Sequence, residues 1–155
     1  MKAQISLSSK VMKVRMSPRK QSGVIAFKVT NKMNVKFLLI RKTGSNKWGF
    51  PKGKVESHLT KKQSALVEAH EEGGVSGKII KSIGRYRYIK NKTKRVQLVD
   101  LFLMEVTKTH KEYLEIARER RWFTYKDALK VLPKEQMPFL VLAGHYIEQE
   151  EGLMV

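Results

Sequence analysis

The chain has 155 residues, with 32 Lys and Arg against 14 Asp and Glu, a formal net charge of +18, and no cysteine. This length predicts one domain with its own core, and the missing cysteine excludes disulfides, Cys-based zinc sites and thiol nucleophiles. No apolar run approaches the roughly 20 residues that cross a bilayer. The charge predicts a polyanionic partner, which is either nucleic acid, a membrane surface or a small molecule with many phosphates.

The first 20 residues contain lysines and serines but no Asp or Glu and no continuous apolar segment. Such a segment is a poor secretory signal, and a transit peptide is the less favoured alternative to a flexible basic arm. We therefore expect a basic N-terminal arm over residues 1–20, a single domain over 21–155, and a cytoplasmic protein.

Two apolar segments follow, at residues 23–29 and 37–41, and both have the length and composition of strands. The polar residues between them predict a hairpin. A loop containing Gly44 is predicted at 42–47, and Trp-Gly-Phe-Pro at 48–51 leads into a second loop around Gly53.

The next element is a predicted helix with a recognisable start and end. Thr60 is a candidate N-cap, and Gln63 three residues later completes a capping-box pattern. Gly73 and Gly74 are typical of a helix C-terminus.

Three carboxylates of this helix, Glu68, Glu71 and Glu72, have the spacing i, i+3 and i+4, which places them on one face. Like charges repel unless a cation lies among them, and Mg²⁺, or alternatively Mn²⁺, prefers oxygen ligands of this kind. A solvated acidic face is the simpler alternative. The metal site is favoured because acids are scarce in this chain and none occurs in residues 1–55.

The second half of the chain predicts two long strands, at residues 78–90 and 95–106, joined by a turn at 91–94. A short strand at 121–123 and helices at 126–132 and 138–150 follow. The last helix has an apolar stripe of Phe139, Leu142, Ala143 and Tyr146. Strands on both sides of a central helix, with helices at the end, predict an α+β fold in which a mixed β-sheet lies between helical layers.

Residues 53–75 resemble the signature of the Nudix (MutT-like) hydrolases, G-x5-E-x7-R-E-U-x-E-E-x-G-U, in which U is aliphatic. The positions that match are Gly53, Glu68, Ala69, Glu71, Glu72, Gly74 and Val75. Leu59 and Val67 depart from it, at the positions of a Glu and an Arg that support the loop. We predict that an apolar contact between these two side chains replaces the polar support.

The resemblance implies the Nudix fold and Mg²⁺-dependent hydrolysis of a phosphoanhydride bond. In that family the metal is held by signature glutamates, here Glu68, Glu71 and Glu72, together with a main-chain carbonyl of the glycine loop, here that of Lys52 or Gly53. The general base is either Glu71 or Glu72, or a carboxylate of a later loop. The candidates in that loop are Glu112, Glu115 and Glu119.

Two further segments are similar to one group of these enzymes. Trp-Gly-Phe-Pro-Lys-Gly at 48–53 resembles the entry to the site in enzymes that cleave dinucleoside polyphosphates or diphosphoinositol polyphosphates, and the segment 118–132 resembles the diphosphoinositol polyphosphate group. Lys52 and Lys54 depart from that group and look more like the dinucleoside tetraphosphate hydrolases. The implied substrate is a diadenosine polyphosphate, an inositol pyrophosphate or a nucleoside polyphosphate.

Candidate phosphate-binding residues are cations close to the glycine loop or on the long strands. They are Arg41, Lys52, Lys54, Arg85 and Arg87. Period-two alternation places Arg85 and Arg87 on one face of their strand and Tyr86 and Tyr88 on the other, where packing against a helix is expected.

Two alternative functions stay open from the sequence. One is an RNA 5′-pyrophosphohydrolase of the same fold, since nucleic acid is a partner compatible with the charge. The other is a catalytically silent basic domain that binds RNA or a protein. The sequence does not determine the oligomeric state.

Overall fold

A computed structural model describes residues 17–113 and 118–155. The elements in these ranges are β1 (Arg19–Val29), β2 (Val35–Lys42), β3 (Lys52–Lys54), α1 (Lys61–Gly73), β4 (Val75–Ile89), β5 (Val96–Thr109), β6 (Arg118–Phe123), α2 (Tyr125–Val131) and α3 (Met137–Glu151). Most of the predicted elements are confirmed, and the strands extend beyond their predicted bounds at one or both ends.

The strands form one mixed sheet in the order β4-β5-β1-β2-β6, and β3 pairs with the outer part of β1. Strands β1 and β5 run parallel, whereas the other pairs are antiparallel. The predicted hairpin between β1 and β2 is confirmed, with Val29 opposite Val35. The predicted α+β class, a mixed sheet between helical layers, is also confirmed.

Alternation along the central strands divides the core between the two faces of the sheet. Val24 and Ala26 of β1 pack under α1, whereas Ile25 and Phe27 belong to the larger cluster under α2 and α3. All four are essentially inaccessible to solvent. Burial of a large apolar side chain contributes about 1.5–3 kcal/mol, so both helical layers are held to the sheet mainly by this packing.

Strand β3 was not predicted, because residues 52–54 were assigned to the glycine loop. These three residues have no apolar alternation, and their strand geometry comes from pairing with β1, where Ser22 lies opposite Gly53. This pairing fixes the loop against the sheet and thereby positions the candidate site.

The predicted apolar stripe of α3 was wrong in its phase. The helix buries Leu140, Ala143, Gly144 and Ile147, which have the spacing i, i+3, i+4 and i+7, whereas Leu142 is 52% exposed. Phe139 and Tyr146 lie half-buried at the margin of the core. The sequence of α3 is apolar on almost every side, so the contact with the sheet decides which face is buried.

The predicted N-terminal arm lies largely outside the described residues, which begin at Ser17. Strand β1 starts at Arg19, two residues ahead of the predicted domain boundary. In the two described ranges, every helix is too short or too polar to cross a membrane.

Candidate active site

Helix α1 begins and ends where the sequence predicts. The Thr60 hydroxyl accepts a hydrogen bond from the Gln63 N–H, and the Gln63 side chain accepts one from the Thr60 N–H. At the other end, Gly74 has φ 63°, a left-handed conformation that favours glycine, and its N–H bonds to carbonyls of the last turn. These caps fix which residues of α1 face β3.

The first carboxylate, Glu68, lies against the backbone of Gly53. A Cβ added to Gly53 would clash with the Glu68 Cδ and with both of its carboxylate oxygens. Any side chain here would therefore push Glu68 away. The glycine at the start of the Nudix-like pattern is required for this close approach.

The second carboxylate, Glu72, is almost fully buried, with 5% of the residue exposed. Its Oε1 accepts a hydrogen bond of 3.2 Å from the N–H of Lys52, and its Oε2 is 3.2 Å from the guanidinium Nε of Arg118 at the start of β6. Burial of an ionised carboxylate is costly unless it is paired, and both contacts offset that cost. Glu68 and Glu72 of α1 therefore both contact the backbone of two adjacent residues of β3, Lys52 and Gly53.

Glu71, the third predicted ligand, is half-buried on α1. Within residues 17–113 and 118–155, no three His, Asp or Glu side chains converge closely enough to form a metal site. The structure therefore brings Glu68 and Glu72 to the glycine loop, and the participation of Glu71 stays a prediction. Carboxylate and main-chain oxygens are the hard ligands that Mg²⁺ prefers, so this donor set fits the predicted ion.

A cavity of about 560 Å³ opens above this loop. Its described lining is rich in cations and includes Arg19, Arg41, Lys47, Lys52, Lys54, Lys90 and Arg118. The acids in that lining are Glu72 and Glu135. The cavity therefore combines a floor at the glycine loop, where Glu72 is the lining carboxylate, with a strongly cationic wall, which suits an anion with many phosphates.

Lys52 is held in a fixed position inside the cavity. Its Nζ donates to the Tyr88 hydroxyl at 2.9 Å and to the Gln21 Oε1 at 3.2 Å, and it lies 4.8 Å from the centre of the Tyr88 ring. The Nε2 of Gln21 donates in turn to the Oε1 of Gln97 at 2.8 Å. Gln21 and Gln97 are both buried, so the hydrogen bonds that hold the Lys52 ammonium are themselves fixed by the core.

Arg41 also lines the cavity, but its guanidinium is already paired. It donates two hydrogen bonds to the Oε2 of Glu119, at 3.1 and 2.9 Å, and it lies 4.7 Å from the Trp48 ring centre. Glu119, one of the predicted general bases, is therefore committed to this ion pair. Glu112 is exposed in the preceding loop, and Glu115 lies outside the described residues.

Arg85 and Arg87 lie on the opposite face of the sheet from the cavity. Arg85 is paired with Asp100 at 3.1 Å, and neither arginine is among the described residues that line the cavity. The predicted alternation is confirmed, since Tyr86 and Tyr88 face the cavity side instead. Tyr86 packs against Phe139 of α3, as expected, and its burial raises the pKa of its hydroxyl well above the usual value.

Several polar residues of the site were missed by sequence reasoning. Gln136, which is buried, accepts a hydrogen bond from the Phe50 N–H at 3.1 Å and donates to the Tyr86 hydroxyl at 2.8 Å. Gln21 and Gln97 have no acid-base chemistry of their own. Both lie at the start of a strand, before its buried apolar residues, and that position is the only signal that the sequence gives for them.

The predicted contact between Leu59 and Val67 stays a prediction. Val67 is 37% exposed, Leu59 is half-buried, and neither belongs to the two core clusters. Any support that the two residues give to the loop is therefore a surface contact.

Comparison with known proteins assigns the family. The NUDIX domain matches residues 19–141 of this chain. Diphosphoinositol polyphosphate phosphohydrolase 3-beta of Bos taurus is 30% identical over 87 residues, which are 56% of this chain and 53% of that protein. Diphosphoinositol polyphosphate phosphohydrolase 2 of Rattus norvegicus is 31% identical over 87 residues, which are 56% of this chain and 48% of that protein. The chain spans about half the length of the curated relatives it matches.

Solved structures with the same fold include the Ap4A hydrolase of C. elegans, with a TM-score of 0.66 and 17% identity over 84% of this chain and 98% of that one. The NUDIX domain of Shewanella oneidensis NrtR, complexed with ADP ribose, has a TM-score of 0.69 and 13% identity over 84% of this chain and 89% of that one. Identities this low establish the fold alone. With the match over residues 19–141, the chain belongs to the Nudix family.

Proposed function

We propose that the chain is a divalent-metal-dependent phosphohydrolase that cleaves a phosphoanhydride bond in a highly phosphorylated small molecule. The observation that carries this proposal is the convergence of Glu68 and Glu72 on the Lys52–Gly53 backbone at the floor of a cationic cavity. Carboxylates alone would repel a phosphate. Carboxylates beside a phosphate-binding wall favour phosphate binding if they hold a cation that neutralises the charge of both.

The residues that would hold this cation are Glu68, Glu71 and Glu72, with a main-chain oxygen of Gly53. A bound Mg²⁺ or Mn²⁺ supplies charge neutralisation at the phosphate oxygens and lowers the pKa of a bound water. In the protein alone, the Arg118 guanidinium balances the charge of Glu72. Arg118 also lines the cavity, so the same guanidinium belongs to the cationic wall that would face a substrate phosphate.

The protein's own cations bind and orient the phosphates. Lys52 presents an ammonium group that is already held by Tyr88 and Gln21, so little side-chain entropy is lost when a phosphate binds. Arg41 offers a planar guanidinium suited to a bidentate contact, after partial release from Glu119. The general base is assigned to Glu71 or Glu72, because Glu72 contacts the glycine loop and Glu71 precedes it on α1, whereas Glu119 lies on β6.

The size of the cavity favours a small molecule. About 560 Å³ is within the range of roughly 300–1,000 Å³ that is usual for small-molecule sites. The relatives and neighbours are named for diphosphoinositol polyphosphates and Ap4A, and both are rich in phosphate. We therefore propose an inositol pyrophosphate, a diadenosine polyphosphate or a nucleoside polyphosphate as the substrate.

The burial of Glu72 argues against a silent binding domain. A side chain with 5% exposure has been removed from water at a cost of several kcal/mol, and an apolar residue would fill the same space more stably. A metal-binding role accounts both for the buried carboxylate of Glu72 and for the glycine that leaves room for Glu68, whereas a silent domain accounts only for the contacts of Glu72 with Arg118 and the Lys52 N–H.

A substrate panel tests the proposal. Purified protein is incubated with diadenosine tetraphosphate, a diphosphoinositol polyphosphate or ATP, in Mg²⁺, Mn²⁺ or EDTA, and the products are followed by ³¹P NMR. We expect hydrolysis of at least one compound in Mg²⁺ or Mn²⁺ and none in EDTA. Absence of hydrolysis across the panel with both metals would reject the small-molecule assignment, and equal hydrolysis in EDTA would reject the metal.

A further inference from the structure

We propose that single-stranded RNA binds a second surface of this protein, outside the cavity. This distal basic surface consists of Lys20, Arg85, Arg87, Lys92 and Lys94. It covers the α1-side face of β4, β5 and β1 near the β4–β5 turn, together with the turn itself. The inference goes beyond the proposed hydrolase activity and does not depend on it.

The charge of this region is one-sided. Residues 73–99 contain no Asp or Glu, and their cations are Lys78, Lys81, Arg85, Arg87, Lys90, Lys92, Lys94 and Arg95. The next acid along the chain, Asp100, is already paired with Arg85 at 3.1 Å and with Lys61 at 3.4 Å. Asp100 therefore offsets the charge of Arg85, but the other seven cations of residues 73–99 outnumber it, and the positive potential that they leave attracts a polyanion.

The strand register arranges these cations in rows. Arg87 lies opposite Leu98, and Lys20 lies next to Leu98 on its other side, so the row crosses three strands. Along β4, Arg85, Arg87 and Ile89 point to the same face at intervals of about 7 Å. Arg85, Arg87 and Lys20 are all exposed. Two arginines about 7 Å apart on β4, followed beyond Ile89 by the lysines of the turn, suit the repeating phosphates of an extended backbone.

An unpaired strand fits this surface better than a duplex or a membrane. Ile89 is 57% exposed among the cations and offers an apolar contact to an unstacked base, which a duplex would hide. Insertion into a bilayer needs apolar residues at the tip, but the turn at 91–94 is Asn-Lys-Thr-Lys. Asn91 and Thr93 there supply amide and hydroxyl groups that can bond a ribose 2′-hydroxyl, which assigns RNA rather than DNA.

The distal basic surface also adjoins the cavity. Lys90 lines the cavity, and its carbonyl accepts a hydrogen bond from the N–H of Lys94 in the turn. A strand bound over the turn therefore has one end at the mouth of the cavity, which gives the two sites a shared edge.

Protection of a sheet edge is the simplest alternative explanation for these cations. Strand β4 is an outer strand, and lysines on such strands prevent pairing with other molecules. However, register shifts at Ser76/Gly77, Ile79/Lys81 and Ser82/Gly84 already interrupt the first part of this edge. Arg85 and Arg87 lie beyond these shifts. Their side chains project from the face of the sheet, so they do not prevent another strand from pairing with its edge.

Fluorescence anisotropy with a labelled, unstructured RNA of about 16 nucleotides tests the inference. The protein is kept in EDTA so that no turnover occurs. The triple variant Arg87→Gln, Lys92→Gln, Lys94→Gln is compared with the matched variant Lys126→Gln, Lys130→Gln, Lys134→Gln, whose exposed lysines lie in and after α2. Both variants lose three charges, and their circular dichroism melting curves confirm that they fold.

We expect the first variant to weaken RNA binding about tenfold at moderate salt and to reduce the slope of log K against log salt by about 2, since three contacts are lost. The matched variant should change binding by less than about threefold. Equal losses in both variants would overturn the proposal in favour of a diffuse charge effect. So would absence of RNA binding, equally tight binding of DNA of the same sequence, or binding of phosphatidylserine vesicles in preference to RNA.

The result is separable from the proposed hydrolase activity. RNA binding in EDTA does not require turnover, and the substrate panel does not contain RNA. Failure of one experiment therefore leaves the other unaffected.

Discussion

Two sets of lysines line the cavity, one at its floor beside the glycine loop and one at its rim. The two sets differ in how firmly each ammonium group is held. At the floor, Lys52 is half-buried and its ammonium is fixed by Tyr88 and Gln21. At the rim, Lys47, Lys54 and Lys90 are exposed at the ends of strands and loops.

This difference separates two kinds of binding. A fixed cation beside Gly53 can place one phosphate accurately, because its position is set before the ligand arrives. An exposed lysine acts as a mobile point charge, which draws anions toward the cavity and is screened by salt. We therefore expect the floor to determine the reaction and the rim to determine the encounter with substrate.

The largest effect is expected at the carboxylate of the floor. Glu72→Gln should lower kcat by about 10² or more, because it removes a charge at a predicted metal ligand or base beside the reacting phosphate. The substitution keeps an oxygen that can accept the hydrogen bond from the Lys52 N–H but loses the ion pair with Arg118, so the melting temperature is measured beside the kinetics to separate lost stability from lost chemistry. Steady-state kinetics on the best substrate of the panel measure this.

A matched control for Glu72 is available on the outer end of α3. Glu150→Gln removes the same charge from an exposed position and should leave kcat within about twofold. If Glu72→Gln retained most of the activity, the floor would not be the catalytic site and the comparison with the rim would lose its basis.

The close approach at Gly53 predicts the next largest effect. Gly53→Ala places a Cβ where the Glu68 carboxylate lies, so this carboxylate must move. The end of a glutamate side chain moves easily, and we therefore expect kcat/KM to fall about tenfold while the melting temperature changes by less than about 3 °C.

Kinetics and thermal melting of Gly53→Ala must be measured together. A large drop in the melting temperature would mean that the backbone of β3, rather than the carboxylate, absorbs the clash. Unchanged activity would mean that Glu68 has no role at the floor.

Local patterns of the sequence predicted the elements of the floor well. The capping box at Thr60, the glycine stop and the carboxylate spacing depend on neighbours within one or two helical turns, which the sequence displays directly. The network around Lys52 was not predicted, because Gln21 is 31 residues from Lys52 and 76 from Gln97. The pairing of β1 with β3 brings Lys52 to Gln21, and the pairing of β1 with β5 brings Gln21 to Gln97.

The alternation of β4 shows a second limit. Period two correctly separated Arg85 and Arg87 from Tyr86 and Tyr88, but it does not state which set faces the cavity. That choice depends on the packing of Tyr86 against α3 and on its hydrogen bond from Gln136. The sequence therefore assigned the two arginines to the substrate, whereas the structure places them on the opposite face.

A smaller effect is expected when the fixed ammonium is removed. Lys52→Gln should raise KM about tenfold, since a charge-assisted contact contributes about 1.5–3 kcal/mol. Tyr88→Phe keeps the lysine but removes one of its supports, and we expect a rise of about threefold. Lys54→Gln, two residues along the same strand and exposed, is the control and should change KM by less than Tyr88→Phe. Equal increases of KM in Lys52→Gln and Lys54→Gln would show that holding the ammonium in a fixed position does not improve substrate binding.

The smallest effect should come from the rim, and its salt dependence is the informative measurement. Lys90 is exposed at the mouth of the cavity, so Lys90→Gln should lower kcat/KM by about twofold at low ionic strength, by weakening the attraction of an anionic substrate. Near 1 M salt the Debye length is about 3 Å, and this difference from the unsubstituted protein should disappear. The deficit of Lys52→Gln should persist at the same salt, because the ammonium of Lys52 is half-buried and its interactions are screened much less than those of an exposed lysine. A Lys90→Gln deficit that survives high salt would place this lysine in direct contact with the substrate and extend the fixed floor to the end of β4.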